Sequence, residues 1–282
     1  MKKHNIETLT IPLYSRPYLP WLLILFVGSG CAALIYEVVW LQLLQLVIGS
    51  TGISLGVLLG IFMGGMCLGS LLLPRLVSAK HHPLRVYAFL ELGIGIFGLL
   101  ILFGMPVLSD VYEGFIAHGA AQRALVAAVC LIPPTVLMGA TLPAIARWVK
   151  ATPEGVSWMG FLYAGNIAGG VAGCLLAGFY LLRVYDMPTG TYTAVAINAL
   201  VALLALSIAS KTPFQSDTAG KSEMPMKETF GDAGVYVVIA MSGLCALGAE
   251  VVWTRLSSLM LGATVYTFSI ILAIFLAGLG IG

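Results

Sequence analysis

Two glutamates stand where a carboxylate is costly. Glu37 lies in "SGCAALIYEVVW" (29–40) and Glu250 in "SGLCALGAEVVW" (242–253), both flanked by apolar residues. Each precedes a turn glycine, Gly49 or Gly262, by about 12 residues. Along a helix rising 1.5 Å per residue, that spacing puts both about 16–20 Å from the outer end, near the middle of a bilayer. An ionised carboxylate there must face protein, carry a proton or hold a partner. The chemistry open to such a pair is binding of a proton or cation where two repeats meet; the alternative is a polar clasp, hydrogen-bonded between helices. Arg255 follows Glu250 by five residues and so points to another face, placed to snorkel outward or to meet an anion rather than to pair with Glu250. Glu91, six residues after Arg85, is expected at the inner interface, within reach of headgroups or Arg75. Asn166 in "YAGNIAGG" and Asn198 in "VAINALVA" suit interhelical hydrogen bonding.

Other chemistries have little to stand on. Cys31, Cys67, Cys130, Cys174 and Cys245 are scattered, without a CxxC pair or a partnered histidine, which argues against a disulfide framework and a zinc site. No catalytic residue, metal site or cofactor is expected in this chain. A net charge of +2 without a basic stripe excludes a nucleic-acid partner. "GNIAGG" lacks the preceding strand that a phosphate-binding loop needs.

The elements that must position these residues are membrane helices. The 282 residues are 60% hydrophobic and only 9% charged, far from the roughly 25% charge of an ordinary soluble domain. About eight apolar runs are long enough to span lipid, near 20–48, 52–73, 86–108, 122–149, 157–181, 187–209, 234–262 and 264–282. Glycines at four-residue spacing line the second run (Gly56, Gly60, Gly64, then Gly65 and Gly69) and the fifth (Gly165, Gly169, Gly173), where small residues let backbones approach. Pro133, Pro134 and Pro143 are expected to bend the fourth.

Lys2, Lys3, Arg16, Arg75, Lys80, Arg85, Arg147, Lys150, Lys211, Lys221 and Lys227 fall on one side of this arrangement, against Arg123 and Arg183 on the other. The bias predicts a cytoplasmic N-terminus, with the segments 74–85 and 210–232 also inside and 109–121 outside. The first apolar run is too long for a signal core and reads as a retained helix.

Shifting the chain by 213 residues aligns 29–69 with 242–282, with about 17 of roughly 41 positions identical. Six spans separate the starts of the two copies, so both enter the membrane from the same side. The expected fold is therefore an all-α polytopic membrane protein of major-facilitator type, built from parallel six-helix repeats of which the second is incomplete. Its expected parts are a cytoplasmic N-terminal segment (1–19), a first repeat (20–209), a cytoplasmic linker (210–233) and the first two helices of a second repeat (234–282). The chain is expected to be the N-terminal part of something longer.

The phrases "GSGCAALIYEVVW", "MGATLPAIARW" and "GFLYAGNIAGGVAGCLLAGFYLL", in this order, resemble the membrane portion of bacterial fused major-facilitator/spermidine-synthase-like proteins, the polyamine aminopropyltransferase-like family. The resemblance covers the chain from about residue 20. It implies a bacterial cytoplasmic (inner) membrane location and a downstream transferase domain with a Rossmann-type sheet, whose enzymatic residues have no counterparts here. It implies an integral membrane domain that anchors, and feeds a polyamine-like cation to, that absent domain. A major-facilitator-type transporter of a small cation or metabolite is the alternative, and a structural subunit of a membrane complex is a third. The expected partners are the lipid bilayer, further helices or a C-terminal domain of a longer protein, and other membrane subunits.

Overall fold

The computed structural model describes residues 18–48, 52–78, 80–115, 120–149, 153–212, 231–262 and 264–281. Most of the N-terminal segment, the linker at 213–230 and the centre of the 109–121 loop lie outside the described residues. The described residues form helices α1 (Leu19–Ile48), α2 (Gly52–Leu76), α3 (Pro83–Phe115), α4 (Ala120–Ala146), α5 (Pro153–Leu176), α6 (Met187–Lys211), α7 (Gly231–Leu261) and α8 (Val265–Ile281), with no strand among them. A π-helical turn (Ala177–Leu181) and a short α turn (Leu182–Val184) extend α5. Seven of these helices are long and apolar enough to cross a membrane, and α8 is a shorter apolar helix. The chain is an all-α polytopic membrane protein.

Local chemistry sets the helix ends. Asp186 opens α6 by accepting hydrogen bonds from the Thr189 amide (2.9 Å) and hydroxyl (2.6 Å), which hold its carboxyl below the usual range. Pro83 begins α3, where its missing N–H removes no helical bond, and His82 caps the next amide. Arg147, just past α4, donates to the Val77 and Leu73 carbonyls at the end of α2, at 3.0 and 3.3 Å. The three prolines of α4 lie within one uninterrupted helix.

Two seams of close backbone contact organise the bundle. In the first, α1 lies on α5: Gly30 abuts the Asn166 carbonyl, Gly169 the Val27 carbonyl and Gly173 the Cys31 carbonyl. In the second, α4 lies on α2: Gly139 abuts the Met66 carbonyl, Gly65 the Thr135 side chain and Gly69 the Val136 carbonyl. Exchanging α1–α3 with α4–α6 maps one seam onto the other, leaves α3 against α6, and turns the α1–α6 contact into that of α4 with α3. Three of the five glycines in the spine expected along α2 depart from this role. Gly56, Gly60 and Gly64 face open space, because they share a stripe that points away from α4, and only Gly65 and Gly69 meet it.

Two apolar clusters stack along the bundle, one around Leu22, Tyr87, Ile145 and Ile208 and the other around Trp40, Leu58, Phe62 and Phe268. Although α1 and α7 share the repeated phrase, α1 is enclosed by α5 and α6, whereas α7 is largely exposed and leaves Gly243 and Gly248 open.

Candidate functional site

Burying a carboxylate among apolar helices requires compensation, and Glu91 has it. It is 0% exposed. Ser29 Oγ on α1 donates to its Oε1 at 2.6 Å, and Asn198 Nδ2 on α6 donates to its Oε2 at 2.6 Å. The Tyr87 hydroxyl, one helical turn earlier on α3, also bears on the carboxyl while donating to the Leu25 carbonyl at 3.3 Å. These bonds tie three helices at one point, between the two apolar clusters. The interfacial position expected for Glu91 is therefore corrected. The residue lies about 12 Å along α3 from Pro83 and its face of the helix is turned to α1 and α6, so neither headgroups nor Arg75 are its partners.

Beside this cluster is a cavity of about 40 Å³ whose lining includes Ser29, Asn198, Asn166, Thr141, Met66 and Met138. Asn166 is brought here by the α1–α5 seam, its carbonyl and side chain pressed against Gly30. One polar atom in this layer, Asn198 Oδ1, has no hydrogen-bond partner. A space of this size admits water or an ammonium-sized group but no bulky organic molecule, whose pockets start at about 300 Å³.

The two repeated glutamates form a second centre. Glu37 on α1 and Glu250 on α7 are 2% and 7% exposed, so both face protein. Glu250 lies close enough for its charge to bear on Glu37. Oε1 of each lacks a hydrogen-bond partner, as do the buried hydroxyls of Thr254, one turn beyond Glu250, and Ser269 on α8. The Cys174 thiol on α5 also senses Glu37 and donates to the Ser269 carbonyl at 3.7 Å. The charge bearing on Glu37 is thus another carboxyl. Arg255 is exposed and lies against Gly52 at the start of α2, away from this pair.

The structure therefore brings Glu37 together with Glu250, and Glu91 together with Asn198 beside Asn166, while Arg255 joins neither group. Ser29, Tyr87, Thr254 and Ser269 were not singled out in the sequence. Ser29 had a signal, since it opens the repeated phrase and recurs as Ser242, and Tyr87 precedes Glu91 by one turn. No group of three or more His, Cys, Asp or Glu residues suited to hold a metal occurs among the described residues.

Comparison with protein-family models, with curated proteins and with solved structures finds no match to this chain.

Proposed function

We propose that this chain is a membrane domain that binds a small cation, in the first place a polyamine-like ammonium compound, and that it is the integral membrane part of a spermidine-synthase-like fusion protein in a bacterial cytoplasmic membrane. The observation that carries the cation is the Glu37–Glu250 pair. Two carboxylates share one buried neighbourhood, each has an oxygen without a hydrogen-bond donor, and among the described residues no lysine or arginine is paired with them. Leaving such a pair bare in apolar surroundings is costly, and a bound cation or proton offsets the cost. A polar clasp would instead satisfy those oxygens within the protein. The Glu91 layer is that kind of structure: both of its oxygens accept from neutral donors. The fusion assignment draws its support from the resemblance of the three quoted phrases.

The test is a calorimetric titration of the purified chain in lipid nanodiscs with spermidine. Saturable binding is expected, with loss in Glu37→Gln and Glu250→Gln and an unchanged elution profile for both variants. Equal binding by wild type and both variants refutes the site. Uptake of labelled spermidine into proteoliposomes distinguishes the transporter alternative, since a domain that only anchors and hands over its cation gives none.

A further inference from the structure

Where two of the candidate spans end, a polar cluster stands that the carboxylate chemistry does not use. Between the start of α3 and the end of α6 lies a cavity of about 470 Å³ lined by Lys80, His82, Arg85, Lys211, Ser210 and Thr212. His82 builds its frame. Its Nδ1 accepts from the Leu84 amide at 3.2 Å, so Nε2 carries the proton and donates to the Thr212 carbonyl at 3.0 Å. One neutral imidazole thus pins the first turn of α3 to the last residue after α6. Burial and the nearby Arg85 charge favour this neutral form. The cations arranged around it are exposed, and none is paired with a carboxylate among the described residues. The positive end of the 33-residue helix α3 adds to their field.

The surfaces that leave this pocket are apolar. On α3, Arg85 is followed at helical spacing by the exposed residues Phe89, Leu92 and Ile96. On α6, Lys211 is preceded on the same face by exposed Leu203 and Leu200. Each helix carries a cation at its end and a lipid-facing apolar stripe directly behind it. A phosphate bound by the cations would have its acyl chains laid along these stripes. A free phosphate would use the head of the pocket and nothing else.

We infer that the pocket formed by Lys80, Arg85 and Lys211 around His82 is a binding site for the phosphate headgroup of an anionic phospholipid. The inference is independent of any cation bound at Glu37 and Glu250. A cation near a membrane surface contributes about 1 kcal/mol to binding an anionic lipid, a factor of about five, so removing all three weakens binding by roughly a hundredfold.

The test is a titration of the full chain in detergent with short-chain phosphatidylglycerol, followed by native mass spectrometry, with phosphatidylcholine as the neutral reference. Preferential retention of phosphatidylglycerol is expected in wild type. It should fall by roughly two orders of magnitude in the triple variant Lys80→Gln, Arg85→Gln, Lys211→Gln, and persist in Lys80→Arg with Lys211→Arg. Arg75→Gln, which removes a cation outside the pocket at the end of α2, should leave it unchanged. Equal retention by wild type and the triple variant overturns the site. Competition by millimolar inorganic phosphate as effective as that by the lipid overturns the lipid as occupant and assigns the pocket to a free anion.

Discussion

Replacing Gly69 by alanine should loosen the whole bundle, whereas the same change at Gly60, nine residues earlier on the same helix, should not. A Cβ at Gly69 would lie 2.8 Å from the Val136 carbonyl carbon and 2.9 Å from the Ala140 nitrogen, and closer still to the Val136 oxygen. These are backbone atoms of α4 and cannot rotate away. Ordinary contact begins at 3.4 Å, so α2 and α4 must part by the better part of an ångström or more. A radial gap of about 0.5–1 Å forfeits a quarter to a half of each dispersion contact, and here it would spread to the neighbouring contacts of Gly65 and Gly139. The cost should lie towards the upper part of the overpacking range of about 1–3 kcal/mol, against about 1 kcal/mol regained from alanine's better helix propensity. At Gly60 nothing stands within 4 Å of the added carbon, so only the gain applies. Melting followed by fluorescence-detected size exclusion should show Gly69→Ala lower by several degrees, at about 2–4 °C per kcal/mol for a chain of this size, and Gly60→Ala at or above wild type. Gly169→Ala, pressed on the Val27 backbone across the other seam, should match Gly69→Ala. Equal melting of Gly69→Ala and Gly60→Ala would refute the claim that the seam is set by backbone contact.

Two further outcomes follow from the ends of the helices. His82→Ala removes the cap on Leu84 and the bond to Thr212, and should cost about 1 kcal/mol at pH 7.5. Because burial and Arg85 hold the folded-state pKa of His82 below the ordinary 6.5, its contribution is complete above that pH and shrinks as pH falls below it, where the unfolded chain takes up the proton first. Lys80 and Lys211 add to the same field, so the melting difference between wild type and His82→Ala should narrow from pH 7.5 to pH 5.5. A gap that widens on acidification contradicts the assignment of His82 as neutral. For the proposed cytoplasmic N-terminus, Ser78→Cys should resist membrane-impermeant maleimide in intact cells and react after lysis; rapid labelling from outside inverts the topology.

What the sequence disclosed and what it withheld divide along a physical line. Apolar runs of spanning length and turn clusters are local, so the helices could be placed within a few residues, α3 being the main exception because its helical signal continues past the apolar run to Phe115. The inward burial of Glu37 and Glu250 was also legible, since a carboxylate in that position has few other choices. The distance of Glu91 from the nearest cation does not decide its environment; the way the helix is turned does, and that depends on Ser29 and Asn198, 62 and 107 residues away. The glycine stripe of α2 failed for a similar reason. Spacing four identifies a smooth face but does not name the neighbour, and Gly56, Gly60 and Gly64 have none within reach.

The π-helical turn at Ala177–Leu181 gives α5 a property that its composition hides. Before it, Gly169 and Gly173 rest on α1; within it, Gly178 rests on Ser269 of α8. α5 packs on both α1 and α8 along its regular length, where Gly170 already meets Leu276 of α8; the wide turn interrupts the regular advance of about 100° per residue and so sets which side of the rod Gly178 presents. A rod embedded in lipid has no loop in which to absorb a gained or lost codon. For this stretch of the gene, reading length is therefore a constraint in its own right: the wide turn at Ala177–Leu181 holds one residue more than a regular turn and takes up a single in-frame deletion within it, whereas a deletion in the regular turns before it swings the turns that follow by about 100°.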